Sequence, residues 1–131
     1  MRTTEITTEN FAATIAKPGI VLLDFWAAWC GPCRAFAPIF EAAAVKNPDI
    51  VFGKVDTEAQ ESLAQAFRIR SIPTIMGFRD GVLLFAQPGM LPAAALDELI
   101  GKIRDLDMEE VRRQLSEPAP EKHAGAVDRA G

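Results

Sequence analysis

The chain has 131 residues, of which 49% are hydrophobic and 24% charged, with a net charge of -4. That is enough apolar material for the core of one domain, and the acidic balance argues against a nucleic-acid surface. Met1 to Pro18 is polar and Thr-rich, without the apolar stretch of a secretory leader. The longest apolar run, Ile20 to Trp29, is broken by Asp24 and falls far short of the ~20 residues a membrane helix needs. The chain therefore reads as soluble, cytoplasmic and without a membrane partner.

Thr3 to Thr7 can form a short edge strand. Thr7 or Thr8 can cap a first helix holding Glu9, Asn10, Phe11 and Ile15, which Lys17-Pro18-Gly19 stops. Ile20 to Trp26 is a strand, apolar throughout except for Asp24, as suits a central strand covered on both faces. Cys33 to Lys46 reads as an Ala-rich helix with Pro38 inside it, where a proline removes a backbone donor. Ile50 to Val55 is a second central strand. A helix then runs from Thr57 or Glu58 to Phe67. Thr74 to Phe78 and Val82 to Gln87 are strands joined by Arg79-Asp80-Gly81, a hairpin signal. From about Pro92 a helix carries Leu96, Leu99, Ile100 and Ile103 at helical spacing. The order β-α-β-α-β-α-β-β-α predicts an α/β fold with parallel strands first, an antiparallel hairpin later, and helices over both faces.

We divide the chain into a domain over 1–105 and an extension over 106–131. Within the extension, Met108, Val111 and Leu115 make one stripe of a short helix at about 107–115, read as docked on the domain surface in preference to a partner-binding helix. Ser116 to Gly131 is rich in Pro, Ala, Gly and charge and reads as a flexible tail. It holds the only histidine, His123, to which we assign no role.

Both cysteines lie in Trp29-Cys30-Gly31-Pro32-Cys33. Such a pair can bind a metal, staple a loop or exchange electrons. A structural zinc site needs four N/S ligands, which one copy of this chain does not supply, leaving only a zinc site or iron–sulfur cluster shared between two chains, and a bridge over two intervening residues removes little entropy from the unfolded chain. Redox exchange fits the surroundings better. Cys30 falls at or just before a helix N-terminus, where unpaired N–H groups and the helix dipole favour a thiolate. Pro32 suits the first helical turn, and Gly31 lets another backbone approach the sulfur. Cys33, deeper in the helix, is expected to be the more buried. Cys30 is thus assigned as the attacking sulfur and Cys33 as the resolving one. Asp24, in the middle of an apolar strand, is expected to be buried with a raised pKa, suiting it as a proton acceptor near neutral pH. Lys54, on the strand beside it, either offsets that charge or is a plain exposed lysine. Pro73 either begins a strand or follows a cis bond; the residues alone leave both open.

Asp24-Phe25-Trp26-Ala27-Ala28-Trp29-Cys30-Gly31-Pro32-Cys33 resembles the active-site signature of the thioredoxin family. Val55-Asp56, Ile72-Pro73-Thr74, Asp80-Gly81 and Gly89 fall where that family has counterparts, over roughly Thr3 to Arg104. The resemblance implies the thioredoxin fold, a central mixed five-stranded sheet flanked by four helices, here with a short extra C-terminal helix and the tail. It implies that Ile72-Pro73 is a cis-proline loop beside the cysteines, with the Ile72 backbone pairing to an extended client segment. Trp29, Gly31, Pro32, Ile72, Gly89 and Met90 would form the docking surface, and Trp26 a core residue. It implies a monomeric protein-disulfide reductase with no bound cofactor. Cys30 attacks a client disulfide. Cys33, deprotonated with help from Asp24 through water, releases the reduced client and leaves a Cys30–Cys33 disulfide. A thioredoxin reductase, where NADPH is consumed, restores the dithiol. Gln87-Pro88-Gly89-Met90 departs from the family's usual pattern. The competing reading is a binding module or cochaperone of the same fold whose extension carries the specific role.

Overall fold

The computed structural model describes residues 2–116; Met1 and 117–131, which include most of the expected tail and His123, lie outside the described residues. In chain order the elements are β1 (Thr3–Glu5), α1 (Phe11–Ile15), β2 (Ile20–Trp26), α2 (Gly31–Lys46), β3 (Val51–Asp56), α3 (Glu61–Ala66), β4 (Thr74–Arg79), β5 (Val82–Pro88), α4 (Ala93–Arg104) and α5 (Met108–Ser116). They form one five-stranded mixed sheet in the order β1-β3-β2-β4-β5. The crossovers between β1, β3 and β2 are parallel, and β2–β4 and β4–β5 are antiparallel.

β2 is the middle strand, which explains its apolar sequence: six of its seven residues are buried. Side chains alternate across a strand. Ile20 and Leu22 face α2 and α4, packing with Phe36, Phe40, Leu96 and Ile100. Val21, Leu23 and Phe25 face the other way, onto Ile6, Leu63, Phe11 and Phe67 from the segments around α1 and α3. Asp24 shares the parity of Leu22 and so lies on the α2 side.

Several boundaries differ from expectation: β1 stops at Glu5 rather than Thr7, and two helix starts move for a local reason. At the first helix, the Thr7 hydroxyl accepts from the Asn10 N–H at 3.2 Å, and Asn10 Oδ1 accepts from the Thr7 N–H at 2.8 Å. This reciprocal turn consumes Glu9 and Asn10 before regular helix begins. At α3, Asp56 Oδ1 accepts from the N–H groups of Glu58 and Ala59 at 2.9 and 3.3 Å. The chain therefore turns through Thr57–Gln60, and helix starts at Glu61 rather than Thr57 or Glu58. α2 begins at Gly31, two residues before the expected start at Cys33. In α5, Met108 is buried, but Leu115 is 66% exposed, so the stripe is only partly covered.

The close packing of β1 onto the sheet depends on Gly53. A Cβ there would stand 2.5 Å from Ile6 Cγ1 and 2.8 Å from Leu23 Cδ2, both on fully buried residues with nowhere to move. Gly53→Ala is expected to destabilise by about 1–3 kcal/mol, the range for overpacking a filled core, read as a lower urea midpoint at unchanged m. Gly77→Ala, which meets only the half-buried ring of Phe85, is expected to cost less.

Candidate active site

The site is assembled at the C-terminal end of β2, where the chain passes through Ala27–Trp29 into α2. Cys30 is the N-cap residue of α2, with extended backbone (φ -84°, ψ 115°), and Pro32 occupies the first turn. The Cys33 N–H donates to Cys30 Sγ at 3.1 Å. One of the helix's orphan donors is thus aimed at the sulfur, and this is the geometry that stabilises a sulfur anion. Cys30 and Cys33 form a disulfide with Cα atoms 5.2 Å apart. The sequence expectation that Cys33 would be the more buried is not met: both residues are 3% exposed. Both cysteines pack against Ala27, with Trp26 and Ile72 around the pair.

The loops beside the pair are tied down by short local bonds. The Ile72–Pro73 peptide is cis, and the Ile72 carbonyl oxygen lies 3.6 Å from Cys30 Sγ. The Thr74 hydroxyl donates to Ser71 O at 2.6 Å across that turn. The Gly89 N–H donates to Pro73 O at 2.8 Å, bringing Gly89 (φ +91°) and the exposed Met90 alongside. Trp29 is 65% exposed, and its indole N–H donates to Glu58. The Thr57 N–H and hydroxyl both donate to Trp26 O, at 2.9 and 3.0 Å, and Arg34 donates to Ala28 O at 2.9 Å. Glu58, Thr57 and Arg34 were not singled out as site residues from the sequence, and Thr74 entered only within the Ile72-Pro73-Thr74 motif. Only the Asp-Thr-Glu run closing β3 carried a signal, as turn formers after a strand.

Asp24 is fully buried, and neither carboxyl oxygen has a hydrogen-bond partner among the described residues. Desolvation raises its pKa from 3.8 to about 7, with the positive charge of Lys54 opposing the rise. Lys54 stands directly across from it in the β2–β3 register. It is half-buried rather than free on the surface, with Nζ 4.9 Å from the Trp26 ring centroid. Trp26 is therefore not a plain core residue; its ring is half-buried beneath that ammonium. A group of about 7 can carry a proton in either direction near neutral pH. Among the described residues no cluster of His, Cys, Asp or Glu could hold a metal ion, and no helix is long and apolar enough to cross a membrane.

A mixed sheet whose central strand delivers a cysteine pair to a helix N-terminus, facing a cis-proline loop, defines a thiol–disulfide exchange protein. The thioredoxin family model matches residues 2–102. A thioredoxin homologue of Streptomyces coelicolor is 60% identical over 115 residues, covering 88% of this chain and 86% of that protein. The thioredoxin of Bacillus subtilis is 35% identical over 78% of this chain and 98% of its own length. Among solved structures, Plasmodium falciparum thioredoxin superposes with a TM-score of 0.71 at 31% identity, over 76% of this chain and 98% of that one. The chain belongs to the thioredoxin family. It is a protein-disulfide oxidoreductase whose working group is the Cys30–Cys33 dithiol/disulfide.

The raised Asp24 pKa means that the folded protein holds this proton more tightly than the unfolded chain. Between pH 3.8 and about 7 the unfolded state has released it and the folded state has not, so stability falls as pH rises through this window. A shift of this size corresponds to roughly 4 kcal/mol at most. Urea titrations from pH 4 to 8 are expected to show this decline in the wild-type protein and to lose most of it in Asp24→Asn.

Proposed function

We propose that Cys30 is the nucleophile, Cys33 the resolving thiol and Asp24 the proton acceptor in reducing disulfides of client proteins. The observation that carries this reading is the position of Cys30 Sγ at the α2 N-cap, 3.1 Å from the Cys33 N–H and 3.6 Å from Ile72 O. An anion is stabilised there while an extended segment can pair with the loop backbone. In the first step the Cys30 thiolate attacks a client sulfur. A Cys30–client bond forms, the client disulfide breaks, and one client thiolate leaves. In the second, the Cys33 proton passes to the Asp24 carboxylate and the Cys33 thiolate attacks Cys30 Sγ. The second client thiolate leaves and the Cys30–Cys33 disulfide remains. Two electrons have moved from the dithiol to the client.

Gly31 and Pro32 shape the first turn, and a Cβ at Gly31 would meet nothing within 4 Å, which fits an open face for the incoming client. Trp29, Ile72, Pro73, Gly89 and Met90 form the docking surface, and Lys54 moderates Asp24. A thioredoxin reductase returns the disulfide to the dithiol, with NADPH oxidised on that partner. We further assign a monomer acting in the cytoplasm, with a catalytic unit over 1–105 and an extension over 106–131.

Two experiments test these roles. With a disulfide-bearing protein substrate, Cys33→Ser is expected to accumulate a mixed disulfide, seen as a non-reducing gel shift that dithiothreitol reverses. Cys30→Ser should form none and lose turnover by roughly 10³-fold or more. A Cys33→Ser protein that captures nothing defeats the assignment. For Asp24, single-turnover release of the client should accelerate as pH rises through about 7. In Asp24→Asn that limb should disappear, leaving release about 10²-fold slower above pH 7, the scale of a general base. An unchanged pH profile removes Asp24 from the mechanism.

A further inference from the structure

The helix before the Ile72–Pro73 loop ends against its own local preference. The Ile69 N–H donates to Ala64 O at 2.9 Å and the Arg68 N–H to Gln65 O at 3.0 Å. This is the paired closure that places the residue after the C-cap in the left-handed region. Here that residue is Arg68, at φ 53°, where glycine is the unstrained choice. A long charged side chain held in a disfavoured backbone conformation points to a use for the side chain.

Its surroundings say what use. Arg68 and Arg70 line a groove of about 220 Å³ whose other walls include Ile69, Ser71, Thr74 and Pro88. Ser71 and Thr74 bracket the cis Ile72–Pro73 peptide, so the groove borders the loop that faces Cys30. Both arginines are exposed. The guanidinium groups of Arg104, Arg112 and Arg113 are paired with Asp49, Asp80 and Glu110. Arg68 and Arg70 make no ion pair among the described residues. Two unpaired guanidinium groups beside the docking loop run against the chain's net charge of -4.

We infer that Arg68 and Arg70 recognise carboxylate side chains flanking the client's reacting cysteine, making acidic-flanked disulfides the favoured substrate class. The planar guanidinium fork matches a carboxylate, and the long-range attraction of two such charges speeds encounter with an acidic segment. This inference rests on the disulfide-reductase reading above. It adds no chemical step; it selects who docks.

The test uses two disulfide-containing peptides that differ only in residues flanking the cysteine, Glu in one and Gln in the other. The reduced full-length protein acts on each, and each rate is divided by that peptide's rate with dithiothreitol. The expected Glu/Gln ratio of kcat/KM is roughly threefold to twentyfold, the scale of two exposed ion pairs. It should shrink toward one as salt is raised to about 0.5 M, where screening shortens the reach of exposed charges. The ratio is expected to fall in Arg68→Gly and in Arg70→Gln, and to reach about one in the double variant. Because Arg68→Gly relieves the left-handed backbone, it is expected to melt no lower than the wild type, so a lost preference is not a lost fold. A wild-type ratio of one, or a ratio that survives in the double variant, overturns this inference while leaving the reductase reading intact. Reduction of neither peptide overturns both.

Discussion

The carboxyl of Asp24 is the constraint around which the rest of the molecule is arranged. It is placed on the middle strand of the sheet, on the face covered by α2, with no hydrogen bond to either oxygen. Burying an ionised carboxylate so completely is costly, and the group responds by holding its proton to about 7. Only Lys54 opposes that, from across the β2–β3 ladder. The surrounding aromatic packing has to carry the cost. Phe40 sits between Phe36 and Phe52, with ring centroids 5.7 and 5.1 Å away. On the other face Phe67 meets Phe11 and Phe25 at 5.4 and 6.1 Å. A stable double-faced core lets a buried ionisable carboxyl exist where stability alone would put a leucine.

The second requirement is that three separate loops hold still relative to that carboxyl. Each is tied by bonds from short side chains or backbone rather than by long ones: Thr57 to Trp26, Thr74 to Ser71, and Gly89 to Pro73. Side chains of this kind lose little rotamer freedom when ordered, so the geometry around the sulfur is preorganised at modest entropic cost. Trp29 is the exception. It is large and exposed, and its one side-chain hydrogen bond among the described residues goes to Glu58.

Much of this was legible in the sequence because it rests on strong local patterns. The run of β2, apolar except for Asp24, reads as a strand covered on both faces. Asp80-Gly81 could only be a tight turn, and both residues adopt positive φ. The charge inside β2 marked Asp24 without any structure. What escaped was set by tertiary contact. The start of α3 was misplaced because Asp56 turns its carboxyl back onto the next N–H groups, which propensity does not register. The relative burial of the two cysteines was misjudged because position along a helix does not determine exposure once a disulfide and a neighbouring loop close over one end. The positions of Glu58 beside Trp29 and of Arg68 beside the Ile72–Pro73 loop were invisible in the sequence. Nothing in a lone surface charge says which loop it will face.

The C-terminal extension is best understood from the direction of β4. That strand runs from Thr74, beside the cysteines, to Arg79 at the far end of the sheet, about 17 Å away at strand rise. It is there that α5 attaches. Arg79 donates to the carbonyls of Ile103 and Leu106 at 2.8 and 3.1 Å, satisfying acceptors at and just beyond the end of α4. Arg112 reaches Asp80 at 3.4 Å, and Asp80 also accepts from the Gly19 N–H at 2.7 Å. Arg79 and Asp80, with Arg112 of α5 joined to Asp80, therefore tie the hairpin turn, the end of α4, the turn before β2 and α5 into one pole, opposite the pole where the cysteines lie. A client seated over Cys30 lies a whole strand length from α5. Among the described residues, β4 and β2 are the strands that run from this pole to the Ile72–Pro73 loop and to Asp24, so the placement of α5 is linked to the site through the sheet.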